Sequence, residues 1–328
     1  MKNFGFIPSP RINMDEVSPL ATRHKKKRFT RSVYELLAMV LLGVVFIAVF
    51  AYLPMFGIIL AFKNGDGQLN ILDAMFNSSW VGFDNFKAFF EDPDFANVMK
   101  NTLCLNSLQL LINFPLPILF AILLSELPWK RVRKFIQTVT YFPYFLSWIT
   151  YGGICLALLN SDGIINAILL HSGLIADPIE FVGDPKYFWS IIIITSLLKG
   201  MGWGSIIYIA AIAGIDPQLY EAARMDGANR WYRITHITIP SIAPTIVLFF
   251  ILSLSGILNN GFDHIWTFQT ITNLETSEVL DTFVYKNGVI TQMYSYSTAV
   301  GLFKSLVSIL LLTLGNWLAK KFTGNGVI

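Results

Sequence analysis

Residues 215–240, which read IDPQLYEAARMDGANRWYRITHITIP, separate two long apolar runs and decide the fold. Asp216 is a good helix N-cap, and Pro217 suits the first helical position because proline lacks the amide hydrogen that would be unpaired there. The pattern predicts a short helix over residues 219–226. Gly227 can take the positive φ that ends such a helix and turns the chain.

A second short helix is predicted through Trp231 and Ile234, and Pro240 is expected to stop it before the next apolar run. Aromatic or apolar residues stand beside charged residues along the loop: Tyr220, Met225 and Trp231 beside Glu221, Arg224 and Arg230. Exposed side chains of this mixture are typical of a protein–protein docking surface. The stretch therefore reads as a compact helix–turn–helix that another protein contacts.

The composition outside this loop is that of a membrane protein. Of the 328 residues, 54 % are hydrophobic and only 14 % are charged, whereas a soluble domain carries about 25 % charged residues. The net charge of +3 is too small to suggest a nucleic-acid partner. Cys104 and Cys155 both lie in apolar runs, which excludes a disulfide framework and a cysteine-rich metal site.

A membrane span needs about 20 mostly apolar residues. Six stretches qualify: Tyr34–Phe62, Asn101–Leu124, Phe135–Leu159, Tyr187–Gly214, Ile242–Phe262 and Thr298–Ala319. We therefore predict an all-α membrane protein with six transmembrane helices. Its expected parts are a basic tail at 1–33, a six-span domain at 34–320 with the loop at 215–241, and a C-terminal segment at 321–328.

The distribution of lysine and arginine sets the orientation. If the N-terminal tail is inside and the spans alternate, the inside segments hold 17 lysines and arginines and the outside loops hold five. This asymmetry predicts cytoplasmic N- and C-termini. The outer segments 64–100 and 160–186 are predicted to be interfacial or re-entrant pieces.

No motif for catalysis is present. The chain contains no phosphate-binding G-x-x-x-x-G-K-[ST] loop, no H-E-x-x-H, no C-x-x-C and no G-x-S-x-G, so we predict no catalytic residue and no metal site. Apart from Glu35 at the edge of the first, the predicted spans contain no Asp or Glu, which argues against a proton relay. Ion coupling through backbone carbonyls stays open, so an ion-coupled secondary transporter or channel is the alternative.

Two lysines fall inside predicted spans. A lysine at the centre of a membrane helix costs about 2.5–3.5 kcal/mol on insertion scales and usually faces the bundle interior or a water-filled path. Lys199 is near mid-depth; a pair with a backbone carbonyl is its alternative role, and Lys304 could instead reach the membrane surface. The candidates for a substrate pathway are Lys199, Trp203, Tyr208, Asn259, Asn260, Asp263 and Lys304.

The loop resembles the EAA loop of binding-protein-dependent ABC importer permeases, whose pattern is E-A-A-x3-G-x9-I-x-L-P. Glu221-Ala222-Ala223, Gly227, Ile237 and Pro240 match it, with Ile239 in place of the usual Leu. The resemblance implies that these residues contact a cytoplasmic ATPase: Glu221, Ala222, Ala223, Asp226, Gly227, Arg230, Ile237 and Pro240. In that scheme Glu221 anchors the loop by a charge-assisted contact, and Gly227 allows its bend.

The chain is most similar to maltose-type carbohydrate permeases of the subgroup that imports oligosaccharides from complex polysaccharides. The segments that carry this similarity include residues 52–57, 80–86, 281–285 and 294–304, and the Gly261-Phe262-Asp263 triplet. His264 departs from the subgroup, where Gln is frequent. The resemblance implies the type I ABC importer permease fold and import of oligosaccharides, including acidic ones of alginate or pectin type.

The same resemblance implies the partners. They are a second, non-identical permease subunit, two copies of an ATPase subunit that bind ATP and Mg, an extracytoplasmic solute-binding protein and the lipid bilayer. This chain itself would hold no cofactor. The protein would then be a multi-pass component of the bacterial cytoplasmic (inner) membrane.

Overall fold

The structure is a computed structural model that describes residues 31–68 and 70–323. It separates into two units, one of residues 1–56 and one of residues 57–328. The basic tail predicted for 1–33 lies almost wholly outside the described residues.

The described part of the first unit, residues 31–56, is one continuous helical stretch. α1 (Arg31–Ile47) runs through a π-turn at Ala48–Tyr52 into the short α2 (Leu53–Met55). Its described side chains are exposed over residues 34–56 and mostly apolar. This is the pattern of a helix that can face lipid all round. Pro54 stands in the first turn of α2, where its missing N–H leaves no helical hydrogen bond broken.

The second unit is helical, and an isolated bridge between Lys63 and Trp80 is the only strand-like pairing among its described residues. In chain order its α-helices are α3 (Ile71–Asn77), α4 (Asp84–Glu91), α5 (Phe95–Asn113), α6 (Pro115–Ser125), α7 (Lys130–Tyr141), α8 (Trp148–Leu159), α9 (Ile164–His171), α10 (Pro185–Ala213), α11 (Pro217–Met225), α12 (Arg230–Arg233), α13 (Ile239–Ser255), α14 (Phe262–Phe268), α15 (Leu274–Ser277), α16 (Leu280–Tyr285) and α17 (Tyr294–Thr323).

Six helical stretches of the described chain are long and apolar enough to cross a membrane, which confirms the predicted number. They are Tyr34–Phe62, Phe95–Ser125, Trp148–His171, Pro185–Ala213, Arg230–Ser255 and Tyr294–Lys321. The predicted outer segments contain the short helices α3, α4 and α9.

The third span differs from its predicted bounds. A single helix over Phe135–Leu159 is expected from hydropathy, but α7 ends at Tyr141 and a 3-10 turn at Phe142–Phe145 follows. α8 starts afresh after Ser147, whose hydroxyl caps it. Pro143 explains the break, because it has no amide hydrogen to continue the α-helical ladder.

α10 is the centre of the second unit. In an apolar 18-residue stretch of α10, 39 % of the residues are buried, whereas 17 % are buried in the corresponding stretch of each of the four other spans of this unit. It packs on α6 and α7 and also touches α5 and α13. Gly202 permits the closest approach, since a Cβ there would lie 2.2 Å from the Thr140 carbonyl oxygen of α7. α10 is therefore the most buried span of this unit, and the neighbouring spans pack around it.

Candidate functional site

The first helix of the 215–240 loop is closed at both ends. Asp216 is the N-cap of α11, and its Oδ1 accepts a 2.9 Å hydrogen bond from a first-turn amide. Gly227 has a φ of +80°, and the Ala228 amide donates to the Ala223 carbonyl at 2.8 Å. These are the bonds of a Schellman ending. The predicted cap and the predicted positive φ are both confirmed.

The second helix does not stop at Pro240, so that prediction is wrong. α12 is capped by Asn229, whose Oδ1 accepts a 2.8 Å hydrogen bond from the Tyr232 amide. The chain then passes through a π-turn at Ile234–Thr238 straight into α13. Pro240 lies in the first turn of α13. Because the π-turn before it changes the backbone hydrogen-bond pattern, the helix is not broken by the N–H that proline lacks.

Side-chain hydrogen bonds connect each helix of the loop to a neighbouring turn. The hydroxyl groups of Tyr220 on α11 and Thr238 in the π-turn are 2.9 Å apart. Arg233 Nη1 donates to the Ala228 carbonyl across the turn at 2.9 Å. Because both helix ends and the turn between them are bonded, the loop can transmit force as one body.

The outer surface of the loop combines apolar and charged side chains. Met225 and Trp231 are 88 % and 73 % exposed, and Glu221 is exposed beside them. Arg230 Nε lies 3.6 Å from Glu126 Oε2, just after α6. The other predicted coupling residues are either exposed or half-buried: Ala222, Ala223, Asp226, Gly227, Ile237 and Pro240. The loop therefore presents an exposed apolar and charged surface, and contact of this surface with an ATPase stays a prediction.

A cavity of about 680 Å³ lies among α5, α6, α10 and α13. Of the predicted pathway residues it contains Trp203, Tyr208 and Asn259, and it does not contain the other four, Lys199, Asn260, Asp263 and Lys304. Its lining combines aromatic rings with carboxamide and hydroxyl side chains, and no lining residue is charged. Such a surface suits a polar, uncharged ligand with flat apolar faces.

Lys199 is 5 % exposed, and its side chain bonds to the backbone where the third span is broken. Its Nζ donates to the carbonyls of Pro143 and Tyr144, both at 3.0 Å, and to that of Leu146. The Pro143 carbonyl also accepts from the Leu146 amide at 3.3 Å, but without Lys199 the other two would lose this donor in an apolar region, which is costly. The geometry thus favours a role in holding the break, and a direct contact between Lys199 and substrate stays a prediction.

Trp203, one turn along α10 from Lys199, has its ring fixed by Tyr144. The two rings stack in parallel, with centroids 4.5 Å apart and planes 4° apart. Trp203 remains 41 % exposed and lines the cavity. Because Lys199 holds the Tyr144 backbone, it also positions the ring on which Trp203 rests.

Asn260 and Lys304 meet on Asp281, away from the cavity. The backbone N–H of Asn260 donates to Asp281 Oδ2 at 2.8 Å, and Lys304 forms an ion pair with the other carboxylate oxygen of Asp281. This pair lets a lysine stay inside the bundle without reaching the membrane surface. Asp263 is exposed in the first turn of α14. For all three residues a place in the pathway stays a prediction.

His264, the departure from the subgroup, is buried beside α10. Its Nε2 lies 2.9 Å from Thr195 Oγ1, and its ring stacks on Trp148 at 3.8 Å. Burial, together with a smaller effect of the Lys199 charge, lowers the pKa of the imidazole to about 3. The ring is therefore neutral at physiological pH and links α14 to α8 and α10.

The polar face of α5 was missed by sequence reasoning. Asn106, Gln109 and Asn113 recur at spacings of three and four residues and all line the cavity. Residues at these spacings share one side of a helix. This repeat inside an apolar run is the signal that could have identified them.

No group of three or more His, Cys, Asp or Glu residues able to hold a metal ion occurs in residues 31–68 and 70–323. The polar groups of the cavity and the loop are hydroxyls, carboxamides and isolated charges. Hydroxyls and carboxamides can hydrogen-bond to the polar groups of a ligand.

Comparison with known proteins agrees with this geometry. The family profile described as "Binding-protein-dependent transport system inner membrane component" matches residues 114–324. The polygalacturonan/rhamnogalacturonan transport system permease protein YteP of Bacillus subtilis (strain 168) is 40 % identical over 93 % of this chain and 94 % of its own. Protein LplB of the same organism is 41 % identical over 87 % of this chain and 88 % of its own.

A solved structure is similar over nearly the whole fold. It is a chain of a bacterial alginate ABC transporter, crystallised in complex with an alginate pentasaccharide-bound periplasmic protein. The TM-score is 0.80 at 36 % identity, over 90 % of this chain and 96 % of that one. With six membrane helices and these relatives, the chain is a multi-pass inner membrane protein and belongs to the family of inner membrane components of binding-protein-dependent transport systems.

Proposed function

We propose that this chain is the permease subunit of an ATP-driven oligosaccharide importer. It forms half of the translocation pathway and couples to a cytoplasmic ATPase through residues 215–240. The observation that carries the proposal is the loop itself: two capped helices, the first bonded to the π-turn that follows the second, with an exposed apolar and charged surface.

The loop has the properties that a coupling lever needs. A lever must keep its shape when it is pushed, and hydrogen bonds at both helix ends supply that stiffness. It must also bind its driver, and exposed Met225 and Trp231 beside Glu221 provide apolar area with a charge at its edge. α12 continues through the π-turn into α13, a wall of the cavity, so motion of the loop passes directly to the pathway.

The cavity provides the sugar-binding half of the proposal. Trp203 offers a ring already held in place by Tyr144, and an aromatic ring packs well on the C–H face of a pyranose. Asn259 and Tyr208 lie on the same surface. The relatives are named for polygalacturonan, rhamnogalacturonan and alginate, so uronate oligosaccharides are the first class to test.

The remaining parts of the machine are partners. We infer a second, non-identical permease that completes the pathway and two ATPase subunits that bind ATP and Mg. An external solute-binding protein delivers the sugar, in accord with the family description. Both termini of this chain lie in the cytoplasm in this arrangement.

Uptake by the reconstituted complex tests the function. Liposomes carrying the full complex and loaded with ATP are given the binding protein and labelled oligosaccharides, both uronate and neutral. We expect uptake of one class only when ATP is present. Glu221→Ala should lower it by about tenfold or more, because a charge-assisted contact contributes roughly 1.5–3 kcal/mol.

Glu91→Ala is the matched control, since it removes an exposed glutamate from α4, far along the chain from the loop. It should leave uptake unchanged. Uptake that proceeds without ATP, or that Glu221→Ala leaves at the wild-type rate, would overturn the importer and favour an ion-coupled transporter.

A further inference from the structure

Two residues that line the cavity each have a side-chain atom without a hydrogen-bond partner within the described chain. The atoms are Gln109 Nε2, a donor, and Asn113 Oδ1, an acceptor, and both atoms are buried. The residues stand four apart on α5, so they share one side of that helix. Both line the same cavity.

The orientation of Asn113 is fixed by its other end. Its Nδ2 donates to the Ile193 carbonyl of α10 at 3.3 Å. The amide therefore presents Oδ1 as its free end. Buried polar groups in proteins are nearly always paired, and among the described residues with an unpaired buried side-chain atom, Gln109 and Asn113 are the two that line the cavity.

The charge of the cavity limits which ligand group can pair with these atoms. No residue of the lining is charged, and Lys199 nearby has its donors on three carbonyls. A carboxylate can only accept hydrogen bonds, so it would satisfy Gln109 Nε2 and face the acceptor Asn113 Oδ1 without a proton between them. It would also enter a buried site with no cation, which is strongly unfavourable.

A hydroxyl group meets both requirements, because it accepts and donates at once. We propose that Gln109 and Asn113 form a subsite for one hydroxyl of a sugar ring, whose oxygen accepts from Gln109 Nε2 and whose hydrogen bonds to Asn113 Oδ1. The inference rests on the proposed function and refines it: this chain recognises the neutral, hydroxyl-bearing part of its substrate. When the substrate is a uronate, its carboxylate is met outside this subsite.

A matched pair of ligands tests the subsite. Labelled digalacturonate and its carboxyl-reduced form differ in charge and keep the remaining ring hydroxyls. Their affinities for the purified full complex are measured by equilibrium dialysis without the binding protein. Gln109→Met and Asn113→Leu should each weaken binding of both sugars by the same factor of about ten, the loss expected for one buried hydrogen bond.

Asn97→Ala is the control on the same helix. Its Nδ2 donates to the Glu275 carbonyl and the residue does not line the cavity, so affinity for both sugars should be unchanged. A loss confined to digalacturonate would show that the subsite binds the carboxylate. No loss for either sugar would show that it binds nothing. Either result overturns the subsite, whereas uptake driven by ATP tests the importer separately.

Discussion

The loop and the cavity differ in whether their polar groups have hydrogen-bond partners within the described chain. In the loop, Asp216, Asn229 and the backbone around Gly227 pair the helix ends, and Tyr220 is bonded to Thr238. In the cavity, Gln109 and Asn113 each keep a buried polar atom without a partner in the described chain. The two regions are joined through α12, the π-turn and α13.

The difference separates a region that is hydrogen-bonded within this chain from a region that requires a ligand to complete its hydrogen bonds. A loop whose helix ends and turn are hydrogen-bonded keeps one shape, so its exposed side chains can be pushed or pulled as a unit. A cavity with unpaired polar atoms is stabilised when a ligand supplies the missing bonds. Substitutions that loosen the loop should therefore uncouple the protein, and those that fill or reshape the cavity should change sugar binding.

Gly227→Val should have the largest effect. Its φ of +80° strains any β-branched residue, and no atom lies within 4 Å of an added Cβ, so strain alone is tested. Strain of about 1–3 kcal/mol should lower sugar-stimulated ATPase activity by roughly tenfold. Gly227→Asn, which tolerates this φ, should stay close to wild type. Equal loss in both variants would contradict a role for the turn.

Lys199→Met should have an intermediate effect, on the cavity side. It leaves the carbonyls of Tyr144 and Leu146 without this donor, while that of Pro143 still accepts from the Leu146 amide. At about 1–3 kcal/mol for each unsatisfied group, the midpoint of thermal unfolding of the complex should fall by about 5 °C or more. The KM for uptake should rise because Trp203 loses its support. Lys199→Arg keeps the donors, and failure of Arg to rescue would contradict this role.

Glu126→Gln should have the smallest effect. It breaks the ion pair with Arg230, whose side chain is 66 % exposed. Exposed pairs contribute about 0–1 kcal/mol and are screened by salt, so ATPase activity should change by less than about twofold. Measurement at low and high salt checks this. A larger loss would show that the pair, rather than the internal bonds, braces the loop.

Local features of the fold were predictable from the sequence. Asp216, Pro217 and Gly227 act within one or two turns of their own position, so their caps and turn could be read directly. The number of spans follows from hydropathy alone. Pro240 was misjudged because the π-turn before it, which removes the cost of proline, has no signature in that stretch.

Long-range partners were not predictable. Lys199 bonds to carbonyls more than 50 residues earlier in the chain, and Lys304 finds its anion on α16. A lysine in a span indicates only that some partner exists. Gln109 and Asn113 repeat with Asn106 at helical spacing, which indicates a polar side of α5 but not that a cavity lies against it.

The most direct test of coupling is the ATPase rate of the reconstituted complex with and without sugar-loaded binding protein, for wild type and Glu221→Ala in parallel. We expect stimulation of the wild type and none of Glu221→Ala, although both complexes contain the ATPase subunits in equal amount. Equal stimulation of the two would contradict coupling through Glu221 and the 215–240 loop.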